Sequence, residues 1–245
     1  MVLQKTQGIV LRSLRYGETS LISHIFTRAN GVQSFMVQGV RTSSQRSNKA
    51  ALLQPASLLE LVVYHKEQKT LHRLREFHSA YIYQHLQEEV VRNAVALFSV
   101  ELILKLLPEQ ARQPELFDLS YAYFQSLDQL PLSRLGNLPL WFVIQCSNAL
   151  GYELSGRWSE ATPHLHLQEG GFSSGIPSKP PFIDDEAAKL LSQLLEKSDP
   201  ASAGTVEMNA IIRNRLLDWY LEFLHQHSQH LGSIKSLPVL RAILH

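Results

Sequence analysis

Apolar and polar positions alternate through most of the first 80 residues. The alternation runs through "GIVLRSL", "SLISHIFT", "VQSFMVQG", "LLELVVYH" and "TLHRLREF", and a period of two is the pattern of a half-buried strand. Asn30-Gly31 separates the second run from the third, and that dipeptide is a strong short-range hairpin signal. Five strands in so short a span, one pair joined by the long polar segment "VQGVRTSSQRSNKAALLQPAS", predict a small closed barrel. An OB-fold is the natural candidate, being five-stranded and a frequent binder of oligonucleotides. An SH3-like barrel fits the same pattern.

After Tyr83 the period changes. In "LQEEVVRNAVALFSVELILKLLP" the residues Val90, Val91, Ala94, Leu97, Phe98, Leu102 and Leu106 recur every three or four positions, which predicts a helix ended by Pro108. "PELFDLSYAYFQSLDQL" starts a second helix, with Pro114 at its edge. "PLWFVIQCSNALGY" gives a third, very apolar one, with Gly151 as its C-cap. "DDEAAKLLSQLLEKS" follows, capped by Asp184 or Asp185, and another helix runs through "TVEMNAIIRNRLLDWYLEFLHQHSQHL" to Gly232. These helices must bury their apolar sides on one another. Between Gly151 and Pro181 the chain is rich in Gly, Ser and Pro and reads as an irregular insertion with one short hairpin. The expected fold is therefore α+β: a five-stranded OB-fold barrel over residues 1–80, then an α-helical domain over 81–245 with an insertion at 152–181.

Charge sharpens this division. Residues 1–80 carry 11 Lys/Arg against 4 Asp/Glu, a net of +7, whereas residues 81–245 carry 12 against 18, a net of −6. A basic barrel on an acidic body suggests that the barrel meets a polyanion. From Thr19 to Leu59 there is no acid, while Arg28, Arg41, Arg46 and Lys49 fall inside the stretch. On the last strand Arg73 and Arg75 alternate with Leu74, so both are expected on one face together with Phe77. Cations beside aromatics on a small barrel suit a groove that follows a nucleic-acid backbone. Arg213 and Arg215 lie on the acidic domain and either extend that track or form a surface salt bridge.

Chemistry of other kinds finds little support. The sequence has no G-x-S-x-G, no phosphate-cradling G-x-x-x-x-G-K-[ST], no G-x-G-x-x-G and no H-E-x-x-H. Asp184-Asp185-Glu186 reads as a helix cap. His164-x-His166 places two imidazoles on one face of a strand, but the insertion offers no further His or Cys to complete a zinc site. His225, His227 and His230 crowd a helix end and read as a polar C-terminus. The single cysteine, Cys146, sits in an apolar run and fits a reducing compartment. No apolar segment reads as a signal peptide or a membrane span, so a cytoplasmic chain is expected, and the missing motifs and ligand sets make it a non-enzymatic, metal-free one.

The same N-terminal residues carry a resemblance. Gly8, Val10 and Leu11, then Gly17 and Glu18, Thr27, Gly31, Gly39 and Arg41, and finally Leu53, Gln54 and Pro55 match the opening of the RecO family of bacterial recombination mediators. "PELFDLSYAYFQSLDQL" and "KSLPVL" are similar too, so the resemblance spans most of the chain. Two departures stand out. The family's usual Lys before the Gly of its K-G-x-R element is Gln38 here, and the four cysteines that many members hold in a zinc module are missing from the insertion.

The resemblance implies an OB-fold followed by a helical domain, with no cofactor or nucleotide. It implies binding of single- and double-stranded DNA and annealing of complementary strands in DNA repair by the RecF pathway. It further implies help in loading RecA onto DNA coated by single-stranded DNA-binding protein, with RecR and the C-terminal tail of that coating protein as partners. The DNA-contacting residues would be Arg28, Arg41, Arg46, Lys49, Arg73, Arg75, Arg213 and Arg215. The competing reading is a protein-interaction module whose basic surface docks acidic partner tails without touching nucleic acid. A hydrolase with a site in the 151–181 insertion is a third.

Overall fold

The computed structural model of the chain describes residues 2–40, 48–65, 69–176, 182–228 and 231–244. Arg41 and Arg46 lie outside the described residues. All five expected strands are present: β1 (Val2–Tyr16), β2 (Ser20–Thr27), β3 (Gly31–Val37), β4 (Leu58–His65) and β5 (Leu71–Ser79). They close in the order β1-β2-β3-β5-β4 and back to β1. The pairings are antiparallel except for β3 with β5, which run parallel. This is the five-stranded Greek-key barrel of the OB-fold, and it decides against the SH3-like alternative.

The closure depends on β1. Its first half pairs with β4 and its second half with β2, with a bulge between Val10 and Arg12 where it turns from one to the other. Gly8 sits at the crossing. A Cβ there would come within 2.6 Å of Leu61 Cδ1 and 2.7 Å of Ile25 Cγ2, so glycine lets the two strands approach. The interior is filled by Val10, Ile25, Phe35, Leu59, Leu61, Val63, Leu74 and Phe77 from the strands. Leu53, from the 3-10 turn Asn48–Leu53, joins the same core.

The chain forms two compact units. The first is Met1–Glu88 with Ile103–Asp128, and the second is Glu89–Leu102 with Gln129–His245. Helix α1 (Val90–Leu106) contributes to both, and α2 (Pro114–Gln129) belongs almost wholly to the first. In that first unit Phe117 meets Phe26 edge-to-face at 5.3 Å, and Gln110 N–H donates to Val32 O at 3.0 Å. Asp128 is 1% exposed and accepts from the backbone N–H groups of Gln84, His85 and Leu86 and from the Tyr81 hydroxyl. Burial pushes the pKa of this carboxyl up, but the three N–H donors and Tyr81 outweigh it and leave the group below the usual carboxylate range.

In the second unit α3 (Leu138–Ala149) is buried nearly all round and packs on α6 (Ala210–His227). Cys146 is wholly buried, which raises its thiol pKa and leaves it inert. Helices α4 (Glu186–Leu195), α5 (Pro200–Ala203) and α7 (Leu237–Ile243) complete the unit. Asp185 is the cap of α4, accepting from Ala187 N–H. In the insertion β6 (His164–His166) and β7 (Gly171–Ser173) pair, and β8 (Phe182–Ile183), just after it, completes a small three-stranded sheet. Leu165, Leu167 and Ile183 supply its buried side. Among the described residues no helix is long and apolar enough to cross a membrane.

The expected face of α1 needs correction. Val90 is 68% exposed and Leu97 39%, while Val95, Val100 and Ile103 are buried. The helix is apolar on nearly every side, so a single stripe chosen from the sequence omits part of what is covered.

Candidate nucleic-acid interface

The strand registers line up an outward row across the barrel. Leu14 on β1 is opposite Ile22 on β2, Ile22 is opposite Met36 on β3, and Met36 is opposite Arg73 on β5. Arg73 is opposite Tyr64 on β4, and Tyr64 is opposite Leu3 on β1. Directly opposed side chains on one face of a sheet touch or nearly touch, so these six form a continuous ladder around the wall. It is mostly apolar, yet it faces outward: Leu14 is 50% exposed and Leu3 48%. A second ladder lies beside it, from Arg12 through His24 and Ser34 to Leu71. Its inner members are hydrogen-bonded, with Ser34 Oγ 3.1 Å from His24 Nδ1 and Arg12 Nη2 3.3 Å from His24 Nε2. Burial lowers the His24 pKa and the Arg12 charge lowers it further, against a smaller pull from Glu109, so the ring is neutral and accepts from Arg12.

Between β3 and β5 the ladder opens into a cleft of about 460 Å³ lined by Met36, Gln38, Tyr64, Lys69, Leu71, His72 and Arg73. Arg73 stands exposed on this cleft and forms no ion pair among the described residues. The Arg75 guanidinium lies 6.0 Å from the centre of the Tyr64 ring, and its Nε is 3.2 Å from Glu76 Oε1. Beneath the cleft His72 is 4% exposed and hydrogen-bonded to Gln33 at 3.2 Å. A half-buried tyrosine, a thioether and apolar side chains beside Lys69, Arg73 and Arg75 offer what unpaired nucleotides require: surfaces for stacking and charges for phosphates.

The expected residues separate into groups. Arg73 and Arg75 share this face. Phe77 does not, contrary to the sequence reading. The register with β4 shifts between Val62 and Val63, which leaves Arg75 as an extra residue and turns Phe77 into the core at 8% exposure. Lys49 is exposed on the 3-10 turn. Arg28 lies at the other end of the β2–β3 hairpin and holds Asp118 with two parallel hydrogen bonds of 2.7 and 2.8 Å. Those bonds keep the Asp118 carboxyl below its ordinary range.

Arg213 and Arg215 belong to the second unit. Two positions apart on α6, they face different neighbours. Arg215 pairs with Asp185, while Arg213 is half-buried against Gly136. Three of the eight candidates, Arg28, Arg75 and Arg215, thus contact a carboxylate.

Sequence reasoning missed Leu3, Leu14, Ile22, Met36 and Tyr64. A signal was present: in "LRSLRY" the bulge shifts the phase, and Leu14 and Tyr16 then occupy outward positions where polar residues are usual. In the insertion, His164 and His166 flank buried Leu165 on one side of β6, as their spacing predicts. His166 Nε2 is 2.8 Å from Ser173 Oγ and its Nδ1 3.6 Å from Glu169 Oε2. Ser173 also donates to Gly175 O at 3.2 Å, so these polar groups tie the hairpin and its following turn. Among the described residues no three His, Cys, Asp or Glu side chains converge in a way that could hold a metal ion.

The family model described as recombination protein O N terminal matches residues 1–83, and recombination protein O C terminal matches residues 87–238. The chain belongs to the RecO family. Its relatives include proteins named DNA repair protein RecO from Phocaeicola vulgatus, 30% identical over 99% of each chain, and from Bacteroides fragilis, 30% identical over 99% of each. The RecO protein of Flavobacterium johnsoniae is 26% identical over 98% of both chains. The OB barrel coincides with the RecO N-terminal match, whereas the compact unit around it also takes in Ile103–Asp128 from the RecO C-terminal match.

Proposed function

We propose that this RecO-family chain is a DNA-binding recombination mediator in DNA repair. It anneals complementary strands and assists RecA loading onto single-stranded DNA covered by its binding protein, in concert with RecR. The observation that carries the reading is the outward ladder Leu14–Ile22–Met36–Arg73–Tyr64 on an OB barrel. Its apolar and aromatic members suit unstacked bases, and Arg73, Lys69, Arg75 and Arg12 suit phosphates along the edges. Arg41, Arg46 and Lys49 add cations in an acid-free stretch of sequence and are proposed to hold phosphates. Annealing makes and breaks no covalent bond. A surface that screens two anionic strands and holds them close lowers the repulsion between them.

One observation favours a second reading. The cleft between β3 and β5 combines Met36, Tyr64 and Leu71 with Lys69 and Arg73, a lining equally suited to an acidic, partly apolar protein tail. Both readings are tested by titrating fluorescent single strands, duplexes and an acidic peptide against the wild type, Arg73→Glu and Tyr64→Ala at several salt concentrations. The DNA reading expects weaker strand binding in both variants and a salt slope in Arg73→Glu smaller by about one unit. Unchanged strand binding with lost peptide binding assigns the cleft to a protein partner.

A further inference from the structure

In the second compact unit three pieces of chain close on a cavity of about 410 Å³. Its walls are Ser133, Arg134, Gly136 and Asn137 before and at the start of α3, the turn Gly204–Met208 after α5, and Arg213 on α6. The sequence builds this recess through two close approaches. A Cβ on Gly136 would lie 2.5 Å from Arg213 Nη1 and 3.0 Å from its Cζ, so glycine leaves room for the guanidinium to lie against the backbone. A Cβ on Gly204 would lie 2.7 Å from Arg134 O, which brings the second wall equally near the first. Asn137, 4% exposed, fastens the two walls by donating from Nδ2 to Ala203 O at 3.2 Å and Val206 O at 2.7 Å. Its Oδ1 has no partner among the described residues.

Arg213 is the unusual member. Its Nη1 donates to Met208 O at 3.4 Å, and among the described residues no carboxylate pairs with it. Burial lowers its pKa with no acidic group opposing the shift. Arg215, two residues on, has Asp185. A half-desolvated guanidinium without a counter-ion is an unfavourable arrangement that an incoming anion relieves, and its fork matches phosphate oxygens two at a time. Arg134 is exposed beside it and supplies a second positive charge, while Glu207 stands exposed on the same lining.

We propose that this cavity binds a phosphomonoester, the terminal phosphate of a DNA strand or of a free nucleotide, with Arg213 as the inner guanidinium and Arg134 as the outer one. Two cations match a monoester, which carries about −1.5 to −2 at neutral pH, better than the single charge of an internal diester. A recess walled by backbone admits a chain end, where a continuous strand would have to fold into it. The volume exceeds that of a phosphate and leaves room for part of a nucleoside, whose hydroxyl and amino hydrogens suit Glu207. The strand-end version rests on the nucleic-acid reading above; capture of a phosphate by Arg213 does not.

The test compares 5′-phosphorylated and 5′-hydroxyl single strands of one sequence, labelled at the 3′ end, on the full chain. The phosphorylated strand is expected to bind about tenfold tighter, the scale of a hydrogen-bonded charge pair. Arg213→Gln abolishes the ratio and leaves the hydroxyl strand unaffected. Glu207→Gln, at an exposed position, enlarges the ratio and carries the test if Arg213→Gln is found unfolded. Deoxyadenosine monophosphate and inorganic phosphate are added in thermal-shift measurements. Stabilisation that Arg213→Gln loses identifies free nucleotides as a source, and its absence beside an intact strand ratio leaves the strand end. Arg73→Glu weakens both strands and preserves the ratio. Should the wild type bind neither strand yet be stabilised by the nucleotide through Arg213, the nucleic-acid reading fails and the pocket stands. Equal affinity for both strands together with no nucleotide stabilisation overturns the proposal.

Discussion

Two sides of the barrel wear similar residues and use them differently. At the 28–30 turn, Arg28 and Phe26 meet Asp118 and Phe117 of α2, so a cation and an aromatic are both satisfied inside the molecule. Across the β3–β5 face, Arg73 and Tyr64 stand among Leu14, Ile22 and Met36 with the cation in no ion pair among the described residues. Both arginines look alike in the sequence, each in a strand-forming stretch with few acids. What separates them is a carboxylate 90 positions away from Arg28, a contact that local charge density says nothing about. Residues 103–128 bring Glu109, Glu115, Asp118 and Asp128 into the barrel's own unit, so the basic excess of the first 80 residues is partly answered there. The side that meets α2 is structural; the proposed function belongs to the face that it leaves bare.

Mutations at the two sides should therefore separate stability from affinity. The largest expected effect is Phe117→Ala, which empties a fully buried site against Phe26 and should cost about 4 kcal/mol in urea unfolding. Next is Asp128→Ala, which strands three backbone donors of the 84–86 segment and should cost about 3 kcal/mol in the same assay. Because the folded pKa of Asp128 is lowered, its contribution is present at neutral pH and disappears as pH falls through the carboxylate range; Asp128→Asn should flatten that acid limb. If either variant changes strand affinity while folded, the division between the two sides is wrong.

On the bare face the expected effects run the other way. Tyr64→Ala should weaken single-strand binding about tenfold, the order of one lost stacking contact, with little change in Tm. His24 gives a smaller and pH-dependent signal. Its folded pKa lies below 6.5, so the unfolded chain takes up the proton first and stability falls as pH drops below that value. His24→Gln, which keeps a neutral acceptor for Arg12, should lose this dependence in thermal melts taken across pH 5 to 7, pH values chosen to bracket the roughly 6.5 pKa of free imidazole. The smallest effect is expected from Arg28→Ala. The pair with Asp118 is exposed, and neither strand affinity nor Tm should move beyond replicate scatter. A clear loss of DNA binding there would return Arg28 to the interface.

Local pattern made much of the fold legible. All five strands, the Asn-Gly turn, Pro114 opening α2 and Gly151 ending α3 follow from period and punctuation, because those signals act within a few residues. The parallel pairing of β3 with β5 that closes the barrel is a contact between distant segments and leaves no local mark. Two bulges hid the candidate site. One, after Val10, rotates Leu14 and Tyr16 outward, and the other, at Arg75, rotates Phe77 inward. Each adds a single residue to a strand and so inverts every later assignment of in and out. The charge of Arg213 is plain in the sequence, but its half-burial beside Gly136, 77 positions earlier, is a contact between distant segments.

The interleaved course of the chain bears on how the barrel is made. Its wall is complete only when Phe117 covers Phe26 and Asp128 has gathered the segment that leaves β5. A ribosome that has released only the first 88 residues has emitted every strand of the barrel but not the cover. Until some forty more codons are read, the nascent barrel shows water an aromatic surface that the finished molecule conceals. A gene fragment trimmed at the last strand would stay permanently at that unfinished stage.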